Sequence, residues 1–117
     1  EGLKFNKFYL TLKNLSKSDQ VIEFYVDKNI LENSKYFEKD KKIILNQSFF
    51  NNPEEIILRS IMQVIKRISW KKNYPRGKKV NRLIDSIKFS NKNVKLTLSG
   101  CIIEKIQDSV IIYPEKR

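Results

Sequence analysis

The chain has 117 residues, enough for one domain of ordinary size, and its formal charge of +11 sets 24 Lys and Arg against 13 Asp and Glu, with no His and one Cys. That inventory excludes an internal disulfide, a Cys/His zinc cage and His-based acid–base or thiol catalysis, and it leaves either a solvated surface or a polyanionic partner to account for the charge. Apolar residues make up 40% of the chain and are rich in Ile and Phe, which argues for a packed core rather than disorder.

In chain order, residues 5 to about 36 place Phe5, Phe8, Leu12, Leu15, Ile22, Val26 and Ile30 close to the three-or-four spacing of a helix, with a polar break at residues 16–19. This predicts one long helix, or two end to end, with Lys28, Glu32 and Lys35 on the wet side. Lys42-Ile43-Ile44-Leu45-Asn46 is short and β-branched, so a strand is expected. Asn51-Asn52 then stops the chain. Asn52-Pro53-Glu54-Glu55 reads as a helix start: Asn as N-cap, Pro at the first helical position, and Glu to complete a capping box. Ile57, Ile61, Val64 or Ile65, and Ile68 mark the buried stripe of that helix.

Pro75 disfavours helix at Tyr74, so a connector is expected over residues 69–77. Helical spacing resumes at residues 78–88 through Val80, Leu83, Ile84 and Ile87. Alternation of Val94, Leu96 and Leu98 with Lys95, Thr97 and Ser99 then predicts a half-buried strand. Two further strands are expected at residues 101–106 and 110–113, joined by a Gln107-Asp108-Ser109 turn. The whole reads as α+β: a long N-terminal helix or helix pair, two further amphipathic helices and a small antiparallel sheet.

Charge is distributed unevenly. Between Glu55 and Asp85 there is no acid, yet Arg59, Lys66, Arg67, Lys71, Lys72, Arg76, Lys78, Lys79 and Arg82 fall there. These nine supply +9 of the +11; the other 15 basic and 13 acidic residues nearly cancel. Such clustering is expected where one surface meets phosphates. Lys71, Lys72, Arg76, Lys78, Lys79 and Arg82 are the phosphate-binding candidates, and Arg76 offers a bidentate fork. Trp70 and Tyr74 sit among them, either stacking on unpaired bases or stapling two helices together.

Chemistry is poorly supplied by comparison. Gly2, Gly77 and Gly100 stand apart, so no Gly-rich phosphate loop exists, and Glu54-Glu55 is explained by its helix start rather than by a carboxylate pair. No metal or cofactor is expected in this chain. The longest apolar runs, such as residues 110–113, are far short of a membrane span, and no signal pattern opens the sequence. A lone thiol suits the cytoplasm.

Tyr74-Pro75-Arg76-Gly77-Lys78-Lys79, the amphipathic helix after it, and Leu98-Ser99-Gly100-Cys101-Ile102-Ile103-Glu104 resemble the C-terminal part of bacterial tRNA(Ile)-lysidine synthetases, particularly the alphaproteobacterial branch. Glu1-Gly2-Leu3 with Thr11-Leu12 resembles the segment that follows the catalytic domain in that family, and residues 54–67 resemble the helix before its Pro-Arg element. Tyr-Pro-Arg stands where Pro-Pro-Arg is usual, and Ser-Gly-Cys where Gly-Gly-Cys is.

The resemblance implies an ATP-dependent ligase that attaches lysine to the wobble cytidine of an isoleucine tRNA, its ATP site being a Ser-Gly-Gly-x-Asp-Ser loop in an N-terminal domain. That loop does not occur in this sequence, which opens on Glu1 rather than Met, as a piece of a longer protein would. Residues 1–40 are then a helical lead-in and 41–117 an α+β tRNA-binding domain, while ATP and lysine are handled elsewhere. Two other readings stand beside it. One is a DNA-binding module with residues 78–88 as recognition helix, for which Asn81 and Ser86 are the available base readers. The other is a protein-interaction domain that pairs through an edge strand.

Overall fold

Ile22, Val26 and Ile30 recur every four residues, and a helix, α1 (Ser18–Asn33), forms with Val26 fully buried between half-buried Ile22 and Ile30. The computed structural model describes residues 18–69 and 75–115. The helix expected through Tyr36 ends at Asn33. Ser34 turns its hydroxyl back onto the carbonyl oxygen of Ile30, and Ser34–Phe37 leaves as strand β1. That strand pairs antiparallel with β2 (Lys42–Leu45), Tyr36 opposite Ile43. Pairing to an already apolar strand outweighs the local helical spacing, which is a weak prior. The 40/41 boundary expected from sequence falls in the turn joining these two paired strands.

A 3-10 turn, Gln47–Phe50, follows where the sequence signalled only a stop; Asn46 caps it, accepting from the Phe49 N–H at 3.1 Å, and Phe49 is fully buried. Helix α2 (Glu54–Ile68) has Pro53, not Asn52, at its N-cap, and no side chain caps it. Asn52 is otherwise engaged: its amide donates to the Phe49 carbonyl at 3.2 Å and to Asn29 Oδ1 at 3.1 Å, so it serves the preceding turn. Helix α3 (Gly77–Phe89) buries the expected Val80, Leu83, Ile84 and Ile87.

Strands β3 (Val94–Leu98), β4 (Cys101–Ile106) and β5 (Ser109–Pro114) complete a five-stranded antiparallel sheet of order β1-β2-β5-β4-β3. The β3–β4 link is a two-residue turn in which Ser99 and Gly100 both take positive φ, 50° and 81°, the geometry that suits the strand twist. The expected three-residue turn after β4 tightens to Gln107-Asp108, with Ser109 already paired to Ile106. The α+β expectation holds, with five strands where four were read.

Helices α2 and α3 cover one side of the sheet, and α1 packs against α2 and the 3-10 turn. Ile43, Leu45, Cys101, Ile103, Val110 and Ile112 point inward and merge with the buried stripes of α2 and α3 in one core. Lys105 also lies on the inward side, where its Nζ donates to the carbonyls of Ile87 (2.7 Å) and Ser90 (2.9 Å), satisfying the C-terminal end of α3. On the outward side, the ammonium groups of Lys35 and Lys42 each lie 5.5 Å from the centroid of the Phe37 ring, and Tyr113 donates to Glu104, which also pairs with Lys95 at 3.8 Å. That bond to Glu104 raises the Tyr113 phenol above its ordinary value.

Candidate nucleic-acid interface

The acid-free block does not form one surface. Arg59 reaches Glu55 at 2.6 Å and Asp19 of α1 at 3.5 Å, and the bond to Glu55 holds its guanidinium still more firmly charged. Arg67 stacks on the Tyr36 ring, 4.1 Å from its centroid. Both therefore serve the α1 and β1 side of the molecule. Lys66 and Arg67 also sit in the last turn of α2, where positive charge favours the helix dipole. The fold accounts for these cations without any ligand.

Arg76, Lys78, Lys79 and Arg82 are different. The structure brings these four predicted residues together on the N-terminal half of α3, all exposed, and none has an ion-pair partner among the described residues. Arg76 is the N-cap, Lys78 and Lys79 lie in the first turn, and no acid is present there. Positive charge at a helix N-terminus opposes the macrodipole by a few tenths of a kcal/mol per residue. Lys78 and Arg82, four apart, and Lys79 and Arg82, three apart, add like-charge repulsion. Burial of the Val80, Leu83, Ile84 and Ile87 stripe holds the helix against this cost. Lys71, Lys72, Trp70 and Tyr74, the other predicted contacts, lie outside the described residues.

Gly77 occupies the first helical position, and a Cβ there would meet nothing within 4 Å. Packing does not require glycine at this point. Its small size does leave the first-turn N–H groups open to an approaching anion.

Beside this cationic stretch, α3 and strand β3 enclose an open groove of about 380 Å³. Lys79, Arg82 and Ser86 line it from the helix, and Thr97, the Ser99-Gly100 turn and Glu115, whose N–H bonds the Gly100 carbonyl, from the sheet. Sequence reading missed the groove because it requires knowing that α3 lies along β3. Asn81 and Ser86 are both exposed, but only Ser86 faces the groove.

Cys101 has no reactive surroundings. It is fully buried on β4, its Sγ is 3.5 Å from the Ile65 carbonyl oxygen, and burial pushes its thiol up to about 11. Because the unfolded chain sheds this proton first, stability falls as pH rises from 9.0 toward about 11. Relative to a Cys101→Ala protein, which lacks the titration, the wild type should lose on the order of 2 kcal/mol over that interval. Denaturant titrations at several pH values check this; parallel stability curves for the two proteins would refute it.

Among the described residues, no group of three or more His, Cys, Asp or Glu could hold a metal ion, and no helix is long and apolar enough to cross a membrane. No family model, curated protein or solved structure matches the chain.

Proposed function

We propose that the chain is an RNA-binding region whose phosphate-contacting surface is the N-terminal half of α3. The observation that carries this is the placement of Arg76, Lys78, Lys79 and Arg82: four exposed cations, unpaired among the described residues, at the end of a helix where they reduce its stability. A surface that costs stability in the free protein is repaid when phosphates arrive and counterions leave.

The RNA we propose is tRNA, the chain being the tRNA-recognition region of a tRNA(Ile)-lysidine synthetase, in the cytoplasm. Support comes from the two motifs that carry the resemblance. They lie far apart in sequence, yet Lys79 of the first and Ser99-Gly100 of the second line the same groove. ATP-dependent adenylation and lysine attachment then belong to residues outside this sequence, which itself holds the RNA in register.

Competition between an isoleucine tRNA transcript and duplex DNA of matched charge, at one salt concentration, tests the reading. The transcript should displace labelled tRNA at lower concentration than the DNA does. Equal or better displacement by DNA would end the tRNA assignment and favour α3 as a groove-reading helix.

A further inference from the structure

The groove between α3 and β3 holds a mixture of groups that phosphate binding alone does not call for. Lys79 and Arg82 stand on one wall, and Glu115 also lines the space. None of the three belongs to an ion pair among the described residues, so both signs of charge stand apart and open to a ligand. Glu115 is held in place by its own backbone, whose N–H donates to the Gly100 carbonyl at 2.9 Å. Leu83, Leu96 and Leu98 give the groove an apolar floor.

The edge of the sheet adds polar groups. Because the two-residue turn pairs Leu98 with Cys101, the backbone N–H and C=O of Leu98 and Leu96 bond to β4, and those of Thr97 point away from it. Among the described residues no strand covers that side of β3, which ends the sheet. A ligand suited to this space carries an anion, hydrogen-bond donors and a flat apolar face.

We propose that the groove takes one unpaired nucleotide of the bound RNA, with Lys79 and Arg82 on its phosphate, the base lying over the leucine floor, and Glu115 accepting from an exocyclic base amine. The inference rests on the RNA-binding reading above and extends it from backbone contact to recognition of a single-stranded end or bulge. Bases of an A-form duplex cannot be reached in this way, because the deep major groove hides their edges, whereas an unpaired base presents its Watson–Crick side. A carboxylate accepts from the N4 amine of cytosine and is repelled by the O4 carbonyl that uracil presents at the same place. The volume, about 380 Å³, lies within the ~300–1,000 Å³ usual for sites that take a small molecule.

The test compares the full chain binding a blunt RNA hairpin, the same hairpin with a short cytidine tail, and the same hairpin with a uridine tail. The cytidine tail should tighten binding about tenfold over the blunt hairpin, and the uridine tail by clearly less. Ser86→Trp, on an exposed wall of the groove, should abolish the tail's contribution while leaving blunt-hairpin affinity and melting temperature unchanged. Ser86→Phe, a second bulky side chain of different shape at the same exposed helix position, should do the same and guards against a folding defect in the first variant. Glu115→Ala should bring the cytidine and uridine tails to the same affinity. A tail that adds nothing, or a gain that survives both bulky Ser86 variants, overturns the groove assignment while the hairpin still binds. Failure of even the blunt hairpin to bind overturns the RNA reading itself and this inference with it.

Discussion

Replacing Arg76, Lys78, Lys79 and Arg82 together by Gln is expected to weaken RNA binding about a thousandfold near 0.1 M salt, with the difference closing toward 1 M. Each phosphate contact contributes about 0.7 to 0.9 to the slope of log affinity against log salt, so four lost contacts should make that slope shallower by roughly 3. Over a tenfold change in salt, a slope difference of 3 is a factor of a thousand. The same variant should melt at a higher temperature than the wild type. Three of these cations lie at the N-cap or in the first turn of α3, where the dipole disfavours them, and Arg82 repels both Lys78 and Lys79. Removing them should stabilise the chain by about 1 kcal/mol.

Opposite movement of stability and affinity separates a binding surface from an ordinary solvated one. If the slope of the quadruple variant equals that of the wild type, these side chains do not touch phosphate. Substituting Arg59 and Arg67 gives the matching contrast. Their partners are Glu55, Asp19 and the Tyr36 ring, so their loss should lower stability with little change in salt slope.

Two kinds of information in the sequence behaved differently. Apolar spacing transferred almost unchanged, because Val80, Leu83, Ile84 and Ile87 fix one side of α3 whatever lies opposite, and the alternation in β3 likewise leaves no choice of face. Charge did not transfer so directly. The acid-free block gathers Arg67 and Lys78 within a dozen residues, but one lies on a β1 aromatic and the other on an open helix end, and only tertiary neighbours decide that.

The misread elements have local causes. Ser34-Lys35-Tyr36-Phe37 carries no strand pattern strong enough to override the helix before it, and it becomes a strand only because β2 offers an edge. Nothing local marks Lys105 as a cap; its inward register and the C-terminal carbonyls of α3 make it one. The groove was hidden for the same reason, since its walls come from residues 79–86 and 96–100 and meet only when α3 lies along β3.

Asn29 is where a stability prediction of similar size applies. It occupies the buried stripe of α1, three residues after Val26, and is only 3% exposed. Its amide donates to the Phe49 carbonyl at 3.3 Å and to Ser60 Oγ at 3.2 Å, while its Oδ1 accepts from Asn33 at 2.8 Å and from Asn52 at 3.1 Å. One side chain therefore ties α1 to the 3-10 turn and to α2. Asn29→Ala removes all four bonds, the two to the Phe49 carbonyl and Ser60 Oγ being buried, a loss of about 2–3 kcal/mol. Asn29→Leu should not recover it, since the groups facing the site stay polar. Asn29→Asp should be worse at neutral pH, because a carboxylate cannot donate to the Phe49 carbonyl and is costly to bury. Burial would raise its folded pKa above the unfolded value, so the native state binds the proton more tightly and stability should rise as pH falls toward that unfolded value. Urea denaturation of the three variants between neutral and mildly acidic pH would show an Asp deficit that shrinks on acidification beside Ala and Leu deficits that do not. An Asp deficit independent of pH would mean that position 29 is open to water, and the bonds of Asn29 would then not be what holds α1 to α2.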